Sequence, residues 1–358
     1  MFDIIIIGLG PAGATLARLL DKSYSVAVID KKQTKEKGFR KPCGGLLATD
    51  AQKALSRFDL TLPKHVLVDP QIFAVKTIDL DGGDTQHYQR FYINLDRHKF
   101  DQWLKSLIPD HVEIYEDAIC TGINRREEWY DVEFKQEGQT HVLSAKYIVG
   151  ADGANSIVRS YLYPNKKIRS YVSIQQWFTE TNHTPFYSCI FDSKNTDCYS
   201  WTISKDGHFI FGGAYPKHGC RERFEDQKKR LEKMGMHFGE VLRTESCIVL
   251  RPAKFNDFCT GEENIFLIGE AAGFISPSSL EGISSAINTG YYLSQVLNSN
   301  NLNPCRAYKR KTFGLRLKLF LKVLKSPFMY FPPLRKLVMA SGINSLKMIE
   351  KAQIESVL

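Results

Sequence analysis

At 358 residues the chain is too long for one simple core, and 43% hydrophobic with 12% aromatic residues suits a globular protein of two domains. No apolar run approaches the roughly 20 residues that cross a bilayer, and the eight cysteines include no C-x-x-C pair, which argues against zinc ligation, a disulfide framework and dithiol–disulfide chemistry; no metal is expected. The net charge of +9 is uneven: residues 306–358 hold 12 Lys+Arg against 2 Asp+Glu, so the rest of the chain is close to neutral.

Phe2–Ile7 is a continuous apolar run rich in β-branched residues, the pattern of a strand buried on both faces. Because that strand starts at residue 2, no leader is expected and the expected compartment is the cytoplasm. Gly8-Leu9-Gly10-Pro11-Ala12-Gly13 follows, then a helix over 14–20 and a second strand over 24–29 ending at Asp30. In such a unit Gly8 makes the tight turn, Gly10 lets bare backbone approach a pyrophosphate, and Gly13 lets helix and strand pack closely. Pro11 and Ala12 open the helix, whose free N–H groups favour phosphate. Asp30 and the adjacent Lys31 stand where a carboxylate can bind an adenosine ribose.

A polar loop over 31–38 leads to Lys41-Pro42-Cys43-Gly44-Gly45, whose proline and glycines prevent regular structure. Either Cys43 lies against a cofactor ring, or the stretch is an ordinary glycine turn with an incidental thiol. A helix is expected over 49–58, a hairpin from strands 72–80 and 86–93, and a helix opening at Asp96 and Arg97. A cation in a first helical turn is unfavourable beside the dipole; Arg97 therefore predicts either an anion such as a cofactor phosphate or a surface salt bridge. Residues 112–123, 129–136 and 139–144 read as a three-stranded meander, and 147–149 as a short buried strand that stops at Gly150-Ala151-Asp152-Gly153.

Residues 165–258 are strand-rich, with a helix over 222–233, and predict a separate antiparallel domain. Within it Tyr199, Trp201 and Ile203 face one side by alternation, as a cavity wall or simply as a half-buried strand. A buried strand over 264–268 then meets Gly269-Glu270-Ala271-Ala272-Gly273, followed by Pro277, Gly282 and Ile283 at the head of a helix over 282–296. The small residues permit close approach of a cofactor, and the helix start offers unpaired N–H groups that favour negative charge.

Together these motifs resemble the FAD-dependent oxidoreductases of the p-hydroxybenzoate-hydroxylase-like fold: Gly8-x-Gly10-x-x-Gly13, Gly150-Ala151-Asp152-Gly153 with Ser156 and Arg159, and Gly269-Glu270-Ala271-Ala272-Gly273, in which Glu270 stands where that fold has Asp. Within the fold, Pro42-Cys43-Gly44-Gly45 and Tyr199-x-Trp201-x-Ile203-Ser204-Lys205 resemble the cysteine–glycine loop and the substrate-lining Y-x-W-x-F-P-K strand of the geranylgeranyl reductase family. The resemblance implies an α/β chain, α+β overall, with a Rossmann-like FAD-binding domain (1–70, 94–164 and 259–300), an antiparallel-sheet substrate domain (71–93 and 165–258) and a basic helical tail (301–358). It implies FAD held by Gly8, Gly10, Pro11, Ala12, Gly13, Asp30, Lys31, Cys43, Gly44, Gly45, Arg97, Asp152, Gly269, Glu270, Gly273, Pro277, Gly282 and Ile283. Cys43 would be the catalytic candidate, and Tyr199, Trp201 and Ile203 would bind substrate.

Three functions stay open: reduction of carbon–carbon double bonds in a prenyl or other apolar substrate, monooxygenation of an aromatic one, or a non-catalytic flavoprotein. The absence of a second G-x-G-x-x-G unit predicts no dedicated NAD(P)H domain, so that either NAD(P)H docks transiently or another electron carrier is the reductant. Nucleic acid is not expected as a partner, since no recognition motif accompanies the charge. In the tail, Phe313, Leu317, Phe320, Leu321 and Leu324 recur at helical spacing, with Lys311, Lys318, Lys322 and Lys325 largely off that stripe. The helix either packs its apolar face on the body or rests on an anionic membrane, peripheral at its inner face.

Overall fold

The computed structural model describes residues 1–31, 40–180, 182, 184–299 and 301–348. Most of the polar loop expected at 31–38, and the last residues of the tail, lie outside them.

The first sheet is built on the N-terminal strand. Phe2–Ile7 pairs in parallel with Val26–Asp30 on one side and with Gln139–Gly150 on the other; Ile265–Leu267 and Glu113–Glu116 extend the parallel array. Side chains alternate across a strand, and here both faces are covered. Ile4 and Ile6 enter the core beneath the helices, while Ile5 and Ile7 enter a second core on the opposite face. All four are at most 3% exposed, and each such side chain contributes roughly 2–3 kcal/mol relative to exposure. The helix Pro11–Leu19 packs on Ile283–Leu297 at small residues: a Cβ added at Gly290 would lie 2.6 Å from the Ala12 carbonyl oxygen.

The expected meander is present, but its third strand does not stop before residue 147. Gln139–Gly150 is one 12-residue strand that pairs antiparallel with Tyr130–Gln136 through its first half and joins the parallel sheet through its second.

The second sheet runs in the order Val241–Leu250, Ser170–Thr179, His208–Tyr215, Tyr199–Lys205, Tyr187–Phe191, Ala74–Asp79, Thr85–Gln89, Ser345–Leu346. The expectation of an antiparallel sheet needs one correction: Ala74–Asp79 lies parallel to Tyr187–Phe191. A parallel pair needs a long crossover, and the chain supplies one by building much of the first domain between these two strands. Helix Cys220–Glu232 covers one face of the sheet through Phe224 and Leu231. The other face carries Tyr187, Trp201, Ile203 and Ile210 toward the first domain.

The tail forms helices Pro304–Lys311, Phe313–Tyr330 and Pro332–Ala340. It is strapped to both domains. Tyr308 Oη donates to the Leu267 carbonyl (3.1 Å), Lys318 pairs with Asp50 (2.9 Å), and buried Arg335 bridges Asp79 and Asp81 at 2.8 and 2.5 Å.

Candidate flavin site

The three glycine motifs converge through contacts that only small residues permit. Gly8 has φ +99°, and a Cβ there would lie 2.6 Å from the Ala151 carbonyl oxygen; one on Gly13 would lie 2.1 Å from the Gly8 carbonyl oxygen; one on Gly269 would lie 2.9 Å from the Ala12 Cβ. Gly8 thus joins the first motif to the second and Gly269 joins the third to the first, while Gly13 closes the first motif on itself. Arg159 adds a further link, since its guanidinium donates to the carbonyls of Ala271 (2.7 Å) and Ala154. Ser156 caps the following helix by accepting from the Arg159 N–H at 2.9 Å.

Gly10 differs from its neighbours. A Cβ there would meet nothing within 4 Å. The bare backbone at the start of the Pro11–Leu19 helix, whose N-terminus has no side-chain cap, faces open space. Beside it, Asp152 Oδ1 is buried without a hydrogen-bond partner among the described residues, while its Oδ2 accepts from the Ile157 N–H at 2.7 Å. Burial raises the pKa of that carboxyl. Open space at an uncapped helix N-terminus, with an orphaned carboxyl oxygen in the neighbouring motif, fits a dinucleotide cofactor.

Asp30 is 3% exposed; it accepts from the Leu9 N–H at 3.2 Å and pairs with Lys105 at 2.6 Å. Lys31 is exposed at the end of the same strand. A carboxylate has about four acceptor positions, so a ribose hydroxyl can still bind Asp30 beside these two donors. Lys105 carried no signal in the sequence, because it is an ordinary lysine in the last turn of a helix.

Glu270 accepts from the Leu250 N–H at 3.0 Å and forms an ion pair with Lys41. That pair pins the cysteine–glycine loop to the third motif. Around the same loop Gly273 takes φ +79°, and the Pro277 carbonyl accepts from Arg251 at 3.0 Å. Gly282 caps the helix Ile283–Leu297 with no side chain of its own. Instead Glu281 accepts from both the N–H and the hydroxyl of Ser284, at 2.8 and 2.7 Å. The helix start that the sequence reading offered to negative charge thus already faces a carboxylate.

The Cys43 sulfur accepts from the Gly45 N–H at 3.4 Å and from Arg97 at 3.9 Å. Arg97 itself pairs with Asp101 at 2.9 Å within the same helix; the pair is largely buried, whereas the alternative to a bound anion is a salt bridge at the surface. Gly44 runs beside Trp201 and Tyr187: a Cβ there would sit 3.6 and 3.5 Å from their rings. Gly45 takes φ +61°, and its carbonyl accepts from Lys205 at 3.4 Å. The Lys205 ammonium also donates to the Leu95 carbonyl at 2.5 Å and is 3% exposed. Burial lowers its pKa to about 8, although Cys43, Asp96 and Asp206 pull the other way. The nearby Cys247 thiol is pushed up to about 11, mainly by burial, and stays neutral.

The alternation read from the sequence holds: Tyr199, Trp201 and Ile203 belong to one cluster with Tyr187 and Tyr92. Ile203 is 1% exposed and packed within it. Trp201 is buried over Gly212 and donates to Gln175 at 3.2 Å. The Tyr199 hydroxyl donates to the Ser279 carbonyl at 2.7 Å. The open cleft lies beside this cluster and is charged. Cys43, Arg97 and Lys205 line it together with Trp177, Arg243 and Glu245. Arg243 lies 4.2 Å over the Trp177 ring and pairs with Glu245 at 3.0 Å; Glu245 also accepts from Gln175 (3.0 Å) and Trp177 (3.2 Å). Sequence reasoning missed Lys205 and this Trp177–Arg243–Glu245 group. Lys205 ends the strand that was singled out, so the signal was present; the other three are ordinary strand residues.

The comparisons with known proteins agree with this geometry. A model of the FAD binding domain matches residues 112–300. Protein CbrA of Escherichia coli O9:H4 (strain HS) is 52% identical over 350 residues, covering 98% of this chain and 96% of its own. Protein CbrA of Shigella sonnei (strain Ss046) is also 52% identical, with 98% and 99% covered. A geranylgeranyl bacteriochlorophyll reductase-like structure from Thermoplasma acidophilum superposes with TM-score 0.78 at 19% identity, covering 99% of this chain and 95% of that one. The structure of pqsL, a probable FAD-dependent monooxygenase from Pseudomonas aeruginosa, superposes with TM-score 0.71 at 17% identity, covering 96% and 99%. The fold is that of the p-hydroxybenzoate-hydroxylase-like flavoproteins, and the cofactor is FAD.

Proposed function

The chain belongs to the CbrA family and carries an FAD-binding domain, and from that premise we propose that this flavoprotein oxidoreductase saturates a carbon–carbon double bond in a prenyl or other apolar substrate. The observation that carries this reading is the meeting of Cys43, Lys205 and Trp177 at one cleft beside the aromatic cluster, with the Cys43 loop tied to the third flavin motif by Lys41 and Glu270. Bound and reduced, FAD supplies a hydride. The chain must then deliver one proton to the neighbouring carbon. Lys205, with a pKa of about 8, holds an exchangeable proton at neutral pH. Cys43 lines the same cleft beside it and is the tentative catalytic group. Trp177 offers apolar surface to the substrate body, while Arg243 and Arg97 suit a polar end. The electrons come from NAD(P)H or another carrier.

The charged lining favours a second reading, a monooxygenase acting on a polar aromatic substrate. Anaerobic mixing separates the two. Reduced holoprotein should be reoxidised by a prenyl substrate without oxygen, with one saturated bond appearing per flavin. Reoxidation only when oxygen is admitted, with its label in the product, would establish the monooxygenase instead. No turnover in either arm would leave a non-catalytic flavoprotein.

A further inference from the structure

The helix Phe313–Tyr330 is divided into three sectors. Arg316 and Leu319 are buried against the body, and Phe320 is partly covered, packing edge-on against Phe255 at 5.8 Å. Phe313, Leu317, Leu321, Leu324 and Phe328 recur at intervals of four, four, three and four, which places them on one stripe. That stripe is open: these five side chains are 52, 41, 48, 61 and 54% exposed. The surface continues past the helix end through Phe331 (55%), Leu337 (69%) and Val338 (47%). Within this helix the packing reading thus holds for the sector of Arg316, Leu319 and Phe320.

Beside the stripe lie Lys318, Lys322 and Lys325, with Lys336 next to Leu337. No Asp or Glu occurs between Glu281 and Glu350. Lys318 reaches Asp50, but Lys322, Lys325 and Lys336 form no ion pair among the described residues. Contiguous apolar surface of this kind marks an interaction site. Its charge selects the partner: a second copy would bring a like-charged tail against this one, whereas an acidic surface is complementary. No helix among the described residues is long and apolar enough to cross a membrane, so the segment suits the plane of an interface.

We propose that the face formed by Phe313–Tyr330 and Pro332–Ala340 docks on an anionic lipid bilayer, with Leu317, Leu321, Leu324 and Phe328 entering the headgroup boundary and Lys322, Lys325 and Lys336 meeting the lipid charge. The docked face adjoins the flavin site. Tyr330 donates to the Ser278 carbonyl, next to the Ser279 carbonyl that accepts from Tyr199. The inference does not depend on which reaction the flavin performs.

The test is co-sedimentation of the FAD-loaded protein with vesicles of phosphatidylcholine, with and without phosphatidylglycerol, at low and high salt. Binding should require phosphatidylglycerol and weaken steeply with salt. Replacing Lys322, Lys325 and Lys336 together by Gln should lower the partition coefficient on the order of a hundredfold, since each basic side chain contributes about fivefold. Leu324→Ser with Phe328→Ser should lower it at least about tenfold. Flavin content, unchanged in both variants, reports that they have folded. Failure of the flavin-replete parent to bind anionic vesicles would overturn the proposal, as would equal binding by the lysine variant. A dimer that ignores vesicles and is dissociated by L324S/F328S would assign the face to a second copy and equally overturn it.

Discussion

Lys205 gives the sharpest test of the site. Its ammonium is buried at the seam between the domains, where the carbonyls of Leu95 and Gly45 accept its hydrogen bonds and no carboxylate forms an ion pair with it among the described residues. In the unfolded chain its pKa returns to about 10.5; in the fold it is about 8. The lowered value means that the unfolded chain binds the extra proton between these two pH values. Stability therefore rises with pH across that window, and below about pH 8 the buried charge costs its full amount. At 1.36 kcal/mol per pH unit, the linkage is worth about 2.5 kcal/mol between about pH 7 and pH 10. Other buried groups titrate nearby, so the quantity to measure is the difference between wild type and Lys205→Met at each pH. Unfolding midpoints in urea with saturating FAD should show wild type gaining about 2.5 kcal/mol on the variant from the lower to the higher pH. Parallel curves would mean that Lys205 is solvated or paired, and would remove it as a proton source.

Gly10→Val should fold with an unchanged thermal midpoint in the absence of flavin yet retain no FAD, because its side chain meets only the open space above the helix start; Gly13→Ala, driven against the Gly8 carbonyl, should instead lose upwards of about 3 kcal/mol of stability. Flavin absorbance together with thermal melting distinguishes them, and normal flavin in Gly10→Val would displace the pyrophosphate from this turn. Cys43→Ser should keep FAD but alter the flavin spectrum or turnover; identical spectra and rates would return Cys43 to an incidental thiol in a glycine turn.

The Rossmann unit was legible because its constraints are local. A strand buried on both faces, a turn that needs Gly8 and a helix that needs Gly13 all fall within twenty residues. The substrate sheet was legible as strands but not in its topology: the parallel pairing of Ala74–Asp79 with Tyr187–Phe191 joins segments over a hundred residues apart, and no local pattern encodes such a pairing. The same limit hid Lys105 and the partnership of Lys41 with Glu270, since ion pairs between residues far apart in the chain leave no spacing in the sequence. Tyr199, Trp201 and Ile203 were placed on the correct face by alternation; how deeply each is buried depends on Gly212 and Gln175, which come from other strands.

The short pairing of Ser345–Leu346 with Tyr88 and His87 has a consequence for biosynthesis. Thr85–Gln89 is made early, yet its outer edge is covered only by residues made some 250 positions later. On the ribosome that strand therefore waits with open backbone donors and acceptors, a template for pairing with neighbouring chains. The carboxylates of Asp79 and Asp81 wait as long for Arg335. The order of synthesis thus leaves the sheet edge to be sealed among the last events of maturation, and truncations within the tail should appear first as aggregation of newly made protein.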